Sequence, residues 1–369
     1  MSTVAYSSDI FALQRHGGIS RYFCELASGV SKTPGFRSRV VAPTHFNDHL
    51  KDCDAPRSGV HVRLRGLRTM RLYHAANRAL APFLLWAARP YLLHRTYYSP
   101  EPAPSGLPTV VTVFDMIHEL FAGEFPPSDP TSHNKRMNVE QADHVICISK
   151  STAADLTRLF NVPPEKISVT YLGYSDSFVK AVPADDAPPH TRPYLLYVGH
   201  RAGYKNFRLA VEAYAASPAL REAFDFVTFG GFAMADAELE WIARLGLRAD
   251  SVVRIAGSDL ELARAYRHAR MFVYPSRYEG FGIPPLEAMS SGCPVACSDN
   301  SSIPEVVGDA AVLFDAADGD SIRDAMERVG FDESLRARLI EAGHARVRQF
   351  SWDQCVAATM AVYRRMLHV

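Results

Sequence analysis

The residues with the clearest chemistry lie in the segment SRYEGFGIPPLEAM in the last third of the chain. Glu279 and Glu287 stand eight positions apart, and Gly280 and Gly282 form a turn between them, followed by two prolines that suit the start of a helix. Such a turn presents backbone N–H groups and the positive end of a helix dipole, which together bind phosphate. Glu279 would accept hydrogen bonds from sugar hydroxyls and Glu287 from a ribose. An ordinary capped helix with solvated glutamates is the alternative, but the glycine turn and the strand predicted after it favour a binding site.

Three further pairs of residues have types suited to phosphate or sugar chemistry. They are Arg201 with Lys205, Asp115 with His118, and Gly17 with Gly18. Taken alone, each pair has an ordinary explanation, because loop cations are usually solvated, strand-end polar groups usually satisfy the local backbone, and paired glycines usually form a plain turn. For the two cations, the flanking glycines and the strand before them favour a functional role.

Short apolar runs alternate with helix-length segments along the whole chain. Several runs are apolar throughout, as expected of parallel strands that are covered on both faces. The predicted strands lie at 3–6, 38–42, 60–64, 109–114, 144–148, 168–172, 194–198, 226–229, 252–256, 271–274, 294–298 and 311–314. The helices predicted in the first half lie at 19–30, 71–94, 133–141 and 151–160.

A proline-rich stretch at 182–193 has no periodicity and is typical of a linker. The predicted fold class is therefore α/β, with two Rossmann-like domains facing each other across a cleft. The first domain is predicted at 1–181 and the second at 194–350. A C-terminal helix within 351–369 is expected to pack back on the first domain, with an ordinary surface helix as the alternative.

Composition and charge exclude several classes of protein. The balance of 40 Lys and Arg against 40 Asp and Glu argues against a protein that binds nucleic acid by neutralising phosphates. No stretch approaches the roughly 18 uninterrupted apolar residues of a membrane span, and no secretory signal is visible at the N-terminus. Six scattered cysteines without a CxxC motif indicate reduced thiols in the cytoplasm and argue against a zinc site.

These motifs resemble those of the retaining nucleotide-sugar glycosyltransferases of family 4, which have the two-domain GT-B fold. The segment containing Glu279 and Glu287 matches the E-x7-E motif of that family. Four other segments follow the family's order: the glycine-rich loop at 14–22, the strand end at 113–119, the loop at 197–207, and SSIPE at 301–305 where GGxPE is usual. The resemblance covers nearly the whole chain.

The resemblance implies a role for each matched residue. Arg201 and Lys205 would contact the donor diphosphate and stabilise the leaving group, while Glu279 would hold the hydroxyls of the donor sugar. The catalytic residues implied in this way are Asp115, His118, Arg201, Lys205 and Glu279. The residues implied to contact the donor and its nucleotide are Gly17, Gly18, Gly199, Gly280, Phe281, Gly282, Glu287, Ser302 and Ile303.

Two positions depart from the family pattern. Phe114 stands where the family often has a histidine beside the aspartate, so His118 is the nearest histidine that would face the donor sugar. Ser301 and Ser302 replace a double glycine, which keeps the backbone donors but narrows the conformational freedom of the loop.

An arginine-rich stretch between Asp54 and Glu101 contains no acidic residue. Its arginines are interleaved with aliphatic and aromatic residues, a pattern typical of a surface that rests on anionic lipid. The predicted contact with a membrane or acceptor uses Arg63, Arg65, Arg68 and Arg71. A core helix with a solvated basic edge is the alternative.

The sequence therefore predicts a retaining hexosyltransferase that acts on a nucleotide sugar, with mannose from GDP-mannose as the first donor. The acceptor would be a growing glycan or a lipid-linked acceptor of a bacterial surface polysaccharide. No metal or other cofactor is expected, because no DxD motif lies on a suitable loop and the cations would neutralise the diphosphate. The enzyme would be cytoplasmic or peripheral on the inner face of the membrane. UDP- and dTDP-sugars are alternative donors. Two alternative functions are a glycan phosphorylase and a non-catalytic paralogue that binds a nucleotide sugar or acts as a scaffold.

Overall fold

The computed structural model describes residues 1–62, 67–174, 182–183 and 186–368, with the backbone alone at 67–71. The chain divides into two compact units. The first unit comprises Met1–Gly173 and Trp352–Val369, and the second unit is Tyr174–Ser351. Among the four arginines of the predicted membrane contact, Arg63 and Arg65 lie outside the described residues, as do the side chains of Arg68 and Arg71.

A parallel sheet forms the centre of the first unit. Its strands are β1 (Ser2–Tyr6), β2 (Phe36–His45), β3 (Arg57–His61), β4 (Leu92–Arg95), β5 (Thr109–Val113), β6 (His144–Cys147) and β7 (Ile167–Val169). Its helices before the second unit are α1 (Gly18–Lys32), α2 (Leu67–Ala88), α3 (Ile117–Leu120), α4 (Thr131–Gln141) and α5 (Lys150–Phe160). The strands are arranged in the order β3-β2-β1-β4-β5-β6-β7, and all of these pairs are parallel.

The second unit repeats this plan. Its strands are β8 (Tyr194–Val198), β9 (Asp225–Phe229), β10 (Val252–Ile255), β11 (Met271–Tyr274), β12 (Val295–Ser298) and β13 (Ala311–Phe314), in the order β10-β9-β8-β11-β12-β13. Its helices are α6 (Phe207–Ala216), α7 (Pro218–Ala223), α8 (Asp236–Arg244), α9 (Asp259–His268), α10 (Ile283–Ser290), α11 (Ile303–Val307), α12 (Gly319–Phe331) and α13 (Glu333–Val347). All pairs in this sheet are parallel as well. The prediction of two Rossmann-like domains is confirmed.

Both sheets reverse their strand order at one point. In the first sheet β1 pairs with β4, and in the second β8 pairs with β11. On either side of such a point the connecting helices leave in opposite directions, so the carboxyl ends of the two strands border an open crevice. Loops that follow β1, β4, β8 and β11 are therefore the first places to look for ligand-binding side chains.

The C-terminal helix, α14 (Trp352–Leu367), belongs to the first unit. Its Tyr363 hydroxyl lies 2.6 Å from Nδ1 of His94 and 3.3 Å from the hydroxyl of Tyr6, all in the buried core. A Cβ atom at Gly29 of α1 would lie 2.5 Å from the side chain of Val356, so the two helices pack closely because this residue is glycine. Burial lowers the pKa of His94 to about 3, which keeps the imidazole neutral at pH 7.

The helix predicted at 71–94 is wrong in its second part. Helix α2 ends at Ala88, and β4 occupies Leu92–Arg95 between β1 and β5. The chain turns at Arg89, whose φ of 45° is left-handed, and Pro90 follows it. A left-handed residue before a proline ends a helix, and the short apolar run after it is buried on the sheet.

The predicted linker at 182–193 is bound to the second unit. Arg267 donates to the carbonyl groups of Val182 and Pro183, and Arg264 pairs with Asp186. The unit boundary lies upstream of this stretch, between Gly173 and Tyr174. The described residues of this stretch, 182–183 and 186–193, therefore form neither a helix nor a strand but still have fixed partners.

Candidate active site

An ion pair joins the loops that follow β8 and β11. Nζ of Lys205 lies 2.6 Å from Oε1 of Glu279, and both side chains are largely buried. The backbone N–H of Arg277 also donates to the carbonyl of Tyr204 at 2.7 Å, which holds the two loops together. Because β8 and β11 are neighbours in the sheet, two residues 74 positions apart in sequence meet at their carboxyl ends.

Two aromatic rings surround the ammonium group of Lys205. Its Nζ lies 5.3 Å from the ring centre of Tyr204 and 5.8 Å from that of Tyr274. Burial, and after it the charge of Glu279, raises the pKa of Tyr274 well above its usual value, so this phenol stays neutral. The rings and the carboxylate therefore hold a cation at the strand ends, where it could meet an anionic ligand.

The loop after β12 supports the turn that carries Glu279. The Glu279 N–H donates to Oγ of Ser301 at 2.9 Å. Oγ of Ser302 lies 2.8 Å from the Glu279 carbonyl and 2.6 Å from the Phe281 carbonyl, and it can donate to either. The predicted contact between Ser302 and a donor would therefore have to come from its backbone, since its side chain is fully buried within this turn.

Ser301 adopts a left-handed conformation, with φ of 53°. The resemblance places a glycine of the GGxPE motif here, and the structure explains that choice because glycine alone adopts this conformation without strain. In this chain the hydroxyl of Ser301 offsets part of the strain by accepting the hydrogen bond from Glu279.

Helix α10 begins directly after the glycine turn. Gly282 precedes it with φ of 126°, a conformation that favours glycine. The helix starts Ile283-Pro284-Pro285, and the two prolines lack N–H groups. Any anion held at this end would therefore rest on the remaining N–H groups of the turn and on the helix dipole, as the sequence predicted.

Glu287 lies in α10 one turn beyond the glycines, as the sequence predicted. Oε2 of Glu287 lies 3.3 Å from the hydroxyl of Tyr266, a buried residue of α9. Burial, followed by the charge of Glu287, raises the pKa of Tyr266 well above its usual range. The tyrosine is therefore a neutral donor that fixes the direction of the carboxylate.

The structure pairs Arg201 with Glu238. Nε of Arg201 lies 2.7 Å from Oε1 of Glu238, and Nη2 donates to the Phe232 carbonyl at 2.9 Å. Only 8% of its side chain is exposed. Within the part of the chain that the structure describes, its buried Nη1 has no hydrogen-bond partner, so this end of the guanidinium is an unsatisfied donor.

Three of the remaining predicted donor residues have plain structural explanations. Phe281 is buried and its ring packs against Phe350, with ring centres 5.7 Å apart. Ile303 is fully buried at the start of α11. Gly199 follows β8 with φ of 128°, which requires glycine. Contacts from these residues to a donor would have to be made by their backbone.

In the first unit, Asp115 follows β5 and is held by its neighbours. Its Oδ1 accepts from the N–H of Ile117 at 3.0 Å. Buried Lys135 of α4 donates to the Asp115 carbonyl at 2.9 Å and to Oε2 of Glu119 at 2.7 Å. Sequence analysis missed Lys135 because it lies on a helix 20 positions beyond Asp115, where no local motif marks it.

His118 and Phe114 have different surroundings. The His118 ring stacks on Phe125 with centres 4.0 Å apart, and its Nε2 lies 3.9 Å from Oδ2 of Asp129. Phe114 is buried, and its ring contacts that of Tyr22 edge-to-face. The residue in the family's histidine position is thus part of the core in this chain, while His118 lies against Phe125 and near Asp129.

The glycine-rich loop precedes α1. A Cβ atom at Gly17 would lie 2.3 Å from Oε1 of Gln14, which accepts a hydrogen bond from the N–H of Ser20. Glycine at this position therefore allows Gln14 to cap the helix. A Cβ atom at Gly18 would meet nothing within 4 Å, so packing does not require glycine there.

Two family models match the chain one after the other. Glycosyltransferase Family 4 matches residues 16–178, and Glycosyl transferases group 1 matches residues 180–346. The O-antigen chain mannosyltransferase B of Escherichia coli is 32% identical over 366 residues, which cover 94% of this chain and 96% of that protein. The chain belongs to the glycosyltransferase family that these two models and this relative represent. The family resemblance seen in the motifs is thereby confirmed.

Other relatives agree with this membership. The serotype-specific mannosyltransferase WbdA of Escherichia coli is 26% identical to this glycosyltransferase over 89% of the chain, which covers 41% of WbdA. Solved structures also share its fold, and two examples show this. Sucrose-phosphate synthase from Thermosynechococcus elongatus has a TM-score of 0.72 at 20% identity, with all of both chains covered. WaaG, a glycosyltransferase involved in lipopolysaccharide biosynthesis, has a TM-score of 0.69 at 17% identity, covering 98% of this chain and 99% of WaaG. The predicted GT-B fold class is confirmed.

The support that Ser301 gives to the glutamate turn leads to a test of stability. Ser301→Ala removes the acceptor of the Glu279 N–H and keeps the left-handed strain, so it should lower the free energy of unfolding by about 1 kcal/mol. Ser301→Gly removes the same acceptor but relieves the strain, and it should therefore cost less. Thermal unfolding of the second unit in both variants measures the difference. An alanine variant at least as stable as the glycine variant would contradict this explanation.

Proposed function

We propose that this glycosyltransferase transfers a mannosyl group from GDP-mannose to a growing or lipid-linked glycan of a bacterial surface polysaccharide, with retention at the anomeric carbon. The second unit would bind the donor and the first unit the acceptor. The observation that carries the proposal is the Lys205–Glu279 pair at the strand-order reversal of the second sheet. The names of the Escherichia coli relatives support mannose as the sugar.

The donor diphosphate would be bound by the cations of the second unit. Lys205 would turn from Glu279 toward the phosphates, and Arg201 would add the Nη1 donor that has no partner within the described residues. The positive end of the α10 dipole would also attract the phosphates. These groups would stabilise negative charge as it develops on the leaving group, so the proposed reaction needs no metal ion.

The donor sugar and the ribose would be bound by the two glutamates. Glu279, no longer held by Lys205, would accept hydrogen bonds from sugar hydroxyls, and Glu287 would bind the ribose in the orientation set by Tyr266. In the proposed step the bond from the anomeric carbon to the diphosphate oxygen breaks while the acceptor oxygen attacks the same face. The acceptor proton passes to the leaving diphosphate. This sequence retains the configuration without an enzyme nucleophile.

Replacing Lys205 tests the leaving-group role. Lys205→Ala should lower kcat by about 100-fold, with a smaller effect on the affinity for GDP, because the charge it meets is greatest in the transition state. Initial rates with GDP-mannose and calorimetric binding of GDP measure the two effects. The control is Arg208→Ala, an exposed cation three residues further on, which should retain the wild-type kcat.

Two outcomes would overturn parts of this proposal. A Lys205→Ala enzyme with a raised KM and unchanged kcat would mean that the lysine binds only the ground state. Faster turnover of UDP- or dTDP-sugars than of GDP-mannose by the wild-type enzyme would overturn the donor assignment.

A non-catalytic paralogue is the second candidate function. The buried Phe114 in place of the family's histidine is the observation that favours it. Such a protein would bind GDP-mannose and release neither GDP nor product in the presence of acceptor. Measuring GDP release by the wild-type protein therefore separates the two candidates.

We also propose that helix α2 rests on an anionic membrane on the cytoplasmic side. Among the described residues no helix is both long and apolar enough to cross a bilayer. Instead α2 and the turn after it expose large apolar side chains: Leu80, Phe83, Trp86 and Tyr91 are 49%, 62%, 71% and 60% exposed. The stretch that contains them is rich in arginine and lacks acidic residues, so it is suited to anionic lipid.

The membrane proposal is tested by removing apolar side chains from α2. The double variant Phe83→Ser/Trp86→Ser should lose sedimentation with vesicles that contain anionic lipid, because these rings supply the apolar contact. Leu239→Ser, which changes an exposed apolar residue of the second unit, should sediment like the wild type. Raising the salt concentration should weaken wild-type binding. Wild-type protein that fails to sediment at low salt would rule the contact out.

A further inference from the structure

Two of the six cysteines meet in the first unit, and the proposed reaction assigns no role to either. Cys24 lies on α1, and Cys53 lies in the segment that connects β2 to β3. The Cys24 thiol donates a hydrogen bond to the sulfur of Cys53. Sγ of Cys53 also lies 3.6 Å from the carbonyl oxygen of Cys24. Two thiols that are 29 positions apart in sequence are therefore in direct contact in the fold.

Three donors surround the sulfur of Cys53. They are the Cys24 thiol, the Ser28 hydroxyl, whose oxygen lies 3.5 Å from the sulfur, and the backbone N–H of Ala55. The Ser28 oxygen accepts from the N–H of Asp54 at 3.2 Å, so its own hydrogen is available to the sulfur. The hydrogen bond from Cys24 contributes most, and together the donors lower the pKa of Cys53 to about 6 although burial and the charge of Asp54 oppose them. The site therefore favours the thiolate form, which is the nucleophilic form of cysteine.

The two members of the pair differ in exposure and in protonation. Cys53 is partly exposed, whereas Cys24 is buried. The hydrogen bond to Cys53, and after it burial, raises the pKa of Cys24, so this thiol keeps its proton at pH 7. Burial also raises the pKa of the four remaining cysteines, which are Cys147, Cys293, Cys297 and Cys355. Cys53 is thus the thiol of this chain that is both accessible and activated.

The charges around the pair select the kind of reagent that can reach it. Asp52 and Asp54 flank Cys53 on the exposed surface, and Glu25 follows Cys24 on α1. Lys32 pairs with Asp54 at 2.8 Å and offsets only part of this negative charge. A bulky anionic oxidant such as glutathione disulfide would be repelled here. A small neutral oxidant such as a hydroperoxide would not.

The backbone around Cys53 allows the two sulfur atoms to approach bonding distance. Cys24 is fixed in the middle of α1, but residues 52–56 form neither a helix nor a strand. A disulfide requires the sulfur atoms to move from contact to about 2.05 Å apart. The segment that carries Cys53 can make this small movement without breaking hydrogen bonds of the sheet.

We propose that Cys53 is a site of reversible oxidation by a neutral hydroperoxide, and that Cys24 converts the oxidised residue to an intramolecular disulfide. The proposal is independent of the donor and the acceptor proposed above. Its product would join α1, which begins at the glycine-rich loop, to the segment that precedes β3.

The chemistry takes place in two steps. First, the Cys53 thiolate attacks the terminal oxygen of the hydroperoxide, and the O–O bond breaks. Cys53 becomes a sulfenic acid, and the departing alkoxide takes a proton from water to leave as an alcohol. Second, the sulfur of Cys24 attacks the sulfur of Cys53, and the S–O bond breaks. The hydroxide leaves with the thiol proton as water, so the two thiols lose two electrons and the hydroperoxide gains them. A dithiol reductant reverses the product by thiol–disulfide exchange.

Peptide mapping of the wild-type protein tests the proposal directly. Trypsin cuts after Arg21, Lys32, Lys51 and Arg57, so peptides 22–32 and 52–57 each contain one cysteine. After treatment with hydrogen peroxide and blocking of the remaining thiols, these two peptides should be found linked to each other. Dithiothreitol should separate them. The four buried cysteines should stay reduced in the same sample, where they serve as internal controls.

Two variants separate the steps. Cys24→Ser keeps a donor beside Cys53 but cannot form the disulfide, so peroxide should leave a sulfenic acid in peptide 52–57 that dimedone traps. Cys53→Ser should leave Cys24 reduced under the same conditions. In the untreated wild type at pH 7, iodoacetamide should alkylate Cys53 about tenfold faster than Cys24 or more, because only the thiolate reacts.

A matched pair of serine variants tests the hydrogen bond from Ser28. Ser28→Ala removes a donor to the Cys53 sulfur, so the pH midpoint of Cys53 alkylation should move to higher pH. Ser31→Ala removes another hydroxyl of α1, one that contacts Ser38, and should leave this midpoint unchanged. Equal midpoints in the two variants would mean that Ser28 does not activate the thiol.

Three results would overturn the proposal. The first is wild-type protein in which peroxide produces no link between peptides 22–32 and 52–57. The second is a link between the Cys53 residues of two molecules in place of the intramolecular one. The third is oxidation of the buried cysteines at the same rate as Cys53. All three are read from the wild-type protein, so a variant that fails to fold does not prevent the test.

Discussion

Parallel pairing of β8 with β11 is the constraint on which the proposed donor site depends. These strands are not consecutive in the chain, and their pairing places the loop of Lys205 beside the loop of Glu279. The neighbouring strand β12 then brings Ser301 and Ser302 under the same turn, where their hydroxyls hold its backbone. The ion pair is thus a consequence of strand order, and the two serines hold the turn that carries its carboxylate.

The first unit repeats this topology with different side chains. Its reversal between β1 and β4 borders a cavity whose lining includes carboxyl groups, tyrosines and two arginines that are already paired. The same sheet order therefore presents different chemical groups in the two units, because the loops after the strands differ in sequence. Helix α14 packs against α1 at Gly29 and contacts the first sheet through Tyr363, whose hydroxyl meets His94 of β4.

Local sequence patterns were sufficient to predict most strands and the helical position of Glu287. The strands at 194–198, 271–274 and 311–314 agree with β8, β11 and β13, because buried parallel strands leave short, fully apolar runs. The E-x7-E spacing also placed Glu287 correctly on a helix. Pattern failed at β4, where a four-residue strand followed a long apolar helix, and for Lys135 and Glu238. These residues act through partners distant in sequence, and no local spacing encodes such contacts.

Hydrogen–deuterium exchange with and without GDP tests the central claim, that the strand-order reversal of the second unit is the nucleotide site. GDP should protect backbone amides at 199–206, 279–287 and 300–303, because the loops after β8, β11 and β12 would close on the diphosphate and ribose. The cavity-lining peptides at 7–13 and 97–104 should exchange at the same rate with GDP present. Protection by GDP in the first unit alone, with none at 199–206 or 279–287, would contradict the account.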